Sequence, residues 1–177
     1  MMPDAVHNRH TARLPGYDYA QPGGYFATLL TWHREQTLGQ IISGEAQLSK
    51  LGKIAASEWL RLESRFPNVK LDEWIIMPNH IHAILMLLPA DAVRARLNPK
   101  DHGLESSASP LQRVPLPAQP KGTGCQTLGA IVGAYKSSVS KRAHYILDKP
   151  DIPVWQRNYY EHVIRSESEL QKIRLYI

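Results

Sequence analysis

His80 and His82, in the run Asn79-His80-Ile81-His82, are the residues of this chain best spaced to share a ligand. If Ile81 to Leu88 is a β-strand, side chains alternate between its faces, so both imidazoles project to one side while Ile81 turns toward the core. Two strand steps separate their backbones by about 7 Å, close enough for the rings to converge on one ion. Spacing alone is a weak signal. With 8 histidines in 177 residues, an accidental His-x-His arises in roughly one chain in three, and by itself the pair is more often accidental than a ligand set. A structural zinc site would need two further ligands at short spacing, and Cys125 has no cysteine or histidine neighbour arranged for that.

A histidine-bearing strand needs a partner, and Lys70 to Met77 supplies one across the short Met77-Pro78-Asn79 turn. Upstream, Tyr25 to Trp32 is β-branched and aromatic enough for a strand. Gly39 to Leu48 places a Ser43-Gly44 turn between short extended pieces, predicting a small hairpin. From Ser49 to Phe66, Leu51, Ile54, Ala55, Trp59 and Leu62 recur at three-to-four-residue spacing until Pro67-Asn68 stops the helix. A second helix runs from about Thr127 to Tyr145, turning Leu128, Ile131, Val132, Tyr135 and Val139 to the core, with Gly129 and Gly133 weakening it. A last strand starts near Val154. Ser166-Glu-Ser-Glu169 then reads as a capping box opening a final helix with Leu170, Ile173 and Ile177 on one face.

The order β-α-β-β-α-β-α predicts an α+β, ferredoxin-like split βαβ sandwich: an antiparallel sheet with helices on one face, plus a C-terminal helix. Residues 1–24, rich in Pro, Gly and basic side chains, read as an arm ahead of a single domain over 25–177. Within that domain the proline-dense stretch at about 89–123 reads as a loop or flexible insertion.

One core is what 177 residues can support. The formal net charge of +5 and a pI near 9.4 favour polyanionic partners, although so small an excess also suits a solvated surface. A lone cysteine rules out an internal disulfide framework, and no basic start joined to an apolar stretch marks export, so a cytoplasmic protein is expected. The longest mostly apolar run, Ile81 to Leu88, is far too short to cross a bilayer.

Three blocks then carry a resemblance over nearly the whole chain apart from the 89–123 insertion. Met77-Pro78-Asn79-His80-Ile81-His82-Ala83-Ile84 resembles the His-hydrophobic-His segment of the single-tyrosine HUH transposases. Arg13-Leu-Pro-Gly-Tyr-Asp-Tyr-Ala-Gln-Pro-Gly-Gly-Tyr25-Phe resembles the N-terminal arm of their REP-associated, insertion-sequence-like members. Trp155-Gln-Arg-Asn-Tyr-Tyr-Glu-His162-Val-Ile-Arg165, followed by Tyr176-Ile177, resembles their C-terminal block. The resemblance implies that His80 and His82 are metal ligands for Mg²⁺ or Mn²⁺ and that Tyr176, on the last helix, is the nucleophile. It implies cleavage and rejoining of single-stranded DNA at REP-like hairpins through a 5′-phosphotyrosine with release of a 3′ hydroxyl. Tyr159 and Tyr160 are the rival nucleophiles, in a setting where aromatic pairs more often pack or stack.

The DNA partner implied is single-stranded or hairpin DNA in a bacterial, nucleoid-associated setting, with a homodimer as a possible assembly and no membrane. Arg9, Arg13, Tyr17, Lys136, Lys141, Arg142, Arg157 and Arg165 are the candidates for contacts to it, Tyr19 joining Tyr17 as a stacking residue. Taken singly, each is more often an ordinary surface residue. Family members continue past the tyrosine to an Asn or Gln that completes the metal site, whereas this sequence stops at Ile177. A terminal turn with one residue after Tyr176 is therefore expected to fray, and a truncated chain to cleave weakly or not at all. A catalytically impaired hairpin-binding module is the alternative. An RNA-binding split βαβ module ranks last, because Tyr25 to Trp32 and Lys70 to Met77 lack its aromatic motif.

Overall fold

Apolar residues recurring at every second position draw four strands into one antiparallel sheet in the computed structural model, which describes residues 16–97, 126–148 and 153–177. In chain order, β1 is Gly23–Leu30, and β2 (Gly39–Ile42) and β3 (Glu45–Leu48) form a separate hairpin. Helix α1 (Lys50–Leu60) runs into the short α2 (Leu62–Arg65), followed by β4 (Val69–Met77), β5 (His80–Leu87) and α3 (Ala90–Leu97). Helix α4 (Leu128–Leu147), β6 (Tyr160–Ile164) and α5 (Glu167–Tyr176) complete the described order. The sheet order β4-β5-β1-β6, antiparallel throughout, is that of the predicted split βαβ sandwich.

Alternation sorts the sheet into two faces. Tyr25, Ala27 and Leu29 of β1, Ile81, Ala83, Leu85 and Leu87 of β5, and Val163 of β6 point to the core beneath α1 and α4. There Tyr135 is fully buried, its ring set edge-on to Trp59 at 5.0 Å and its hydroxyl donating to the Ala55 carbonyl at 3.1 Å. Glu58, also buried, is held between Arg142 and Arg61 at 2.8 and 3.3 Å, so the charge it carries inside the fold is paired. Gly52 lets α1 approach closely: a Cβ there would meet the Leu38 carbonyl oxygen.

Phe26, Ile84 and Leu170 form a second, smaller cluster on the opposite face, joined by Met86, Ile164, Ile173 and Ile177. This is where α5 docks. A register shift in β4 between Leu71 and Trp74 keeps Leu71, Trp74 and Ile76 on the core side and turns Asp72 to meet α5. Asp72 receives a bidentate pair from Arg174 at 2.8 and 2.5 Å. Among the described residues no helix is long and apolar enough to cross a membrane.

Most expected elements stand close to their predicted bounds, and the departures have physical causes. The hairpin turns at Ser43 and Gly44, both with positive φ (52° and 84°), the pattern that suits a two-residue hairpin loop. Trp32, expected at the end of the first strand, lies instead in a single 3-10 turn, Trp32–Arg34. The last strand starts at Tyr160, not near Val154. Trp155 makes only an isolated bridge to Thr31, and the next three carbonyls, Gln156 to Asn158, accept hydrogen bonds from Lys136 Nζ. The segment read as a loop from residue 89 begins with a helix, Ala90–Leu97, whose Arg96 bonds the Val69 carbonyl and Glu63 at 2.7 and 3.1 Å. The rest of that stretch, with Cys125, lies outside the described residues.

Candidate active site on the histidine face

The two-residue connection between β4 and β5 brings His80 opposite Met77, and strand alternation then places His80 and His82 on the face covered by α5. Their Nε2 atoms are 3.1 Å apart. Each Nδ1 is already engaged, that of His80 with Asn79 Oδ1 at 2.7 Å and that of His82 with Thr28 Oγ1 at 2.9 Å. Thr28 reaches His82 because the two residues are register partners across β1 and β5. Phe26 stacks on the His82 ring at 5.4 Å and fixes its plane from the other side.

Burial pushes the His80 imidazole below its ordinary value. Burial, and secondarily the neighbouring His80, push His82 down to about 4. Both rings are thus neutral at neutral pH, the form in which imidazole binds a metal ion. Adjacent donors on an octahedral ion with bonds of ~2.1 Å stand roughly 3 Å apart, which the Nε2 pair matches. Partners on both Nδ1 atoms are also what ligating histidines require for orientation. The donor set therefore fits one divalent ion. Among the described residues no group of three His, Cys, Asp or Glu side chains is gathered for a metal, and the two imidazole nitrogens are the donors that converge here.

Helix α5 brings Tyr176 to the same spot. Its hydroxyl lies 3.4 Å from His82 Nε2, and its ring meets those of His82 and Phe26 at 5.2 and 6.3 Å. Ser166 caps the helix, accepting from Glu169 N at 3.2 Å. The second half of the expected capping box differs: the Glu169 carboxylate accepts from Arg165 N at 2.8 Å and bonds His162 Nε2 at 2.7 Å. Where fraying was expected, the last turn makes its helical hydrogen bond. Ile177 N bonds the Ile173 carbonyl at 3.1 Å, and the Ile177 side chain packs on the Phe26–Ile84 cluster, which supplies the anchorage a terminal turn otherwise lacks.

The remaining candidates separate. Tyr160 shares the histidine face, 49% exposed and edge-on to Phe26 at 6.3 Å, whereas Tyr159 packs against the main core. Tyr17 and Tyr19 join Tyr25 in an aromatic cluster on the core side, so their rings are occupied in packing. Lys136, which burial pushes down to about 8, directs its ammonium at three carbonyls, and Arg142 is paired with Glu58. Lys136 is thereby committed to the backbone, whereas Arg142, bonded through Nη1, keeps its side chain 38% exposed. Lys141, Arg157 and Arg165 are exposed, and Arg9 and Arg13 lie outside the described residues. Sequence reasoning did not single out Thr28, Phe26, Asp72 or Arg174. Alternation along β1 assigns Thr28 to the face opposite Ala27 and Leu29, but its pairing with His82 depends on a register that no local pattern specifies.

No family model matches the chain. An uncharacterized protein of Haemophilus influenzae is 37% identical over 172 residues, covering 97% of this chain and 87% of that protein. Among solved structures, a REP-associated tyrosine transposase bound to a REP hairpin superposes with a TM-score of 0.52 at 16% identity, over 90% of this chain and 67% of that one. At that identity the likeness is one of fold.

Proposed function

The chain belongs to one family with the uncharacterized Haemophilus influenzae protein, and we propose that its function is that of a single-tyrosine transposase acting on hairpin-forming single-stranded DNA. The observation that carries this reading is the meeting of three groups, His80, His82 and Tyr176, from two distant parts of the chain. A phenol set beside two convergent imidazoles at the surface has little structural reason to be there, since Tyr176 is 67% exposed and contributes little to the core. The fold shared with a hairpin-bound transposase and the net charge of +5 point the same way.

His80 and His82 would hold Mg²⁺ or Mn²⁺ through Nε2. Bound there, the ion would neutralise a nonbridging phosphate oxygen and favour the ionised phenol. Tyr176 loses its proton to water and its oxygen attacks phosphorus. The bond from phosphorus to the 3′ oxygen breaks, leaving a 3′ hydroxyl, and the 5′ phosphate becomes esterified to the tyrosine. Attack by a 3′ hydroxyl from another strand reverses the step, so bond energy is conserved and no nucleotide cofactor is required. The phosphate approaches from solvent across the exposed Tyr176, while Phe26 keeps His82 in plane.

The test is incubation of the chain with labelled hairpin DNA and Mn²⁺, resolved on a denaturing gel. A covalent adduct on Tyr176 is expected, lost in Tyr176→Phe and in the His80→Ala, His82→Ala double variant, which should still bind the hairpin. Cleavage by the double variant would remove the histidines from the mechanism.

A further inference from the structure

We infer that Asn79 and Thr28 are positioning residues that act in different ways. Asn79 locks His80 in one tautomer, and Thr28 lets His82 change tautomer when an ion binds. Only the second part rests on the reading of the histidines as ion ligands.

The lock follows from hydrogen-bond accounting. Asn79 Nδ2 donates to the Arg34 carbonyl at 3.2 Å, which orients the amide and leaves Oδ1 facing His80 Nδ1 at 2.7 Å. An amide oxygen only accepts, so His80 carries its proton on Nδ1 and presents a lone pair at Nε2. The Arg34 carbonyl is itself held in place at some cost. His33 and Arg34 adopt left-handed φ values of 51° and 59°, a region that non-glycine residues visit only when their surroundings enforce it. The enforcing residue is Thr31, fully buried. Its hydroxyl is shared between the Glu35 and Asn79 carbonyls at 2.7 and 2.9 Å, and its amide bonds the Asn79 carbonyl at 3.0 Å. Leu38 N closes the buckle on the Pro78 carbonyl at 2.9 Å. The turn carrying the left-handed residues and the turn before β5 thus form one hydrogen-bonded unit that sets the protonation site of His80.

His82 is held differently. With a lone pair on His80 Nε2, the 3.1 Å contact to His82 Nε2 is a hydrogen bond only if His82 carries its proton on Nε2. Its Nδ1 is then a lone pair, to which the Thr28 hydroxyl donates. An ion needs that Nε2 lone pair. His82 Nε2 then releases its proton to water and Nδ1 takes one from water, leaving the ring neutral, and the Thr28 hydroxyl rotates to accept. A hydroxyl can play both parts, whereas an amide oxygen can play only one.

Long-range ¹H–¹⁵N correlation spectra of the whole chain labelled in histidine, at neutral pH, read both tautomers directly. Without metal, His80 is expected as Nδ1–H and His82 as Nε2–H. Added Zn²⁺, a diamagnetic probe suited to imidazole, should leave His80 unchanged and convert His82 to Nδ1–H. Asn79→Ala should give mixed tautomers at His80 and weaken Zn²⁺ binding about 10–100-fold. Thr28→Val should weaken it similarly, and Thr28→Ser should behave as the parent. An Nε2–H His80 in the metal-free parent overturns the lock. A His82 already Nδ1–H without metal overturns the switch. No response of either ring to Zn²⁺ overturns the ligand reading and the switch with it, while the metal-free spectrum decides the lock independently.

Discussion

Beneath α1 and α4, twenty-four buried side chains form one cluster among the described residues, whereas beneath α5 only Phe26, Ile84 and Leu170 are buried. The first face has the aromatic interlock of Trp59, Tyr135 and Trp155 and an ion pair from the buried Glu58 to Arg142 tying α1 to α4. The second has a ten-residue helix, too short to hold its shape alone in water, fastened by Arg174 to Asp72 at its C-terminal end and by Glu169 to His162 at its N-terminal end. The contrast teaches where stability and chemistry are kept apart. Most of the apolar burial that folds the domain lies on the helical side. Over the histidines, α5 docks on little apolar surface, so the position of Tyr176 is set by a few replaceable contacts.

Tyr176→Phe should separate the faces most sharply. It removes one exposed oxygen, so stability in urea should change by less than about 0.5 kcal/mol, while formation of the covalent adduct should fall at least ~10³-fold. A persistent adduct mapped by mass spectrometry to Tyr160, which shares the face, would move the nucleophile.

Trp59→Ala should come next, costing about 3–5 kcal/mol in chemical denaturation and loosening both faces together. Leu170→Ala should cost about 2 kcal/mol and act locally, with hydrogen-exchange protection lost in α5 and retained in α1 and α4. Equal loss of protection in all three helices would mean the two faces are a single cooperative unit, and the comparison would fail.

Acid should act on the α5 side selectively. The Arg174 guanidinium beside Asp72 holds its carboxyl below the ordinary 3.8. A depressed folded value means that the pair's contribution is complete above the unfolded value and is lost as pH falls through the folded one. Exchange protection of α5 reads this loss directly. It should drop in the parent on acidification, and Asp72→Asn should already show the loosened helix at neutral pH. The mildest contrast concerns DNA. Arg165→Ala, at the junction of β6 and α5, should weaken hairpin binding several-fold and lower the salt dependence by about one phosphate contact. Lys141→Ala, on α4 behind the core, should change neither; equal losses would place DNA on both sides of the sheet.

Much of this was legible locally. The three-to-four-residue recurrence from Leu51 to Leu62 and from Leu128 to Val139 marked α1 and α4, alternation after Pro78-Asn79 put His80 and His82 on one side, and Ser166 announced α5. Such patterns are visible because each residue's environment depends on neighbours one turn or two strand steps away. Local patterns misled where a distant group overrode the local preference. The carbonyls of residues 156–158 are bonded by Lys136 where the strand was expected, Arg142 pairs with the buried Glu58 while still 38% exposed, and Tyr17 packs on Tyr25.

By itself, then, the sequence determined the order of the sheet strands and the helices that pack on them, the split βαβ plan and the face on which the histidines stand, since periodicity and capping are short-range; the helix Ala90–Leu97 escaped it. Only the tertiary structure decided that Thr28 lies beside His82, that Asn79 is oriented by the carbonyl of Arg34, and that Tyr176 ends 3.4 Å from His82 Nε2. Those contacts join residues 45 to 94 positions apart, and strand register and helix docking, which create them, are set by the packing of the whole sheet rather than by any segment within it.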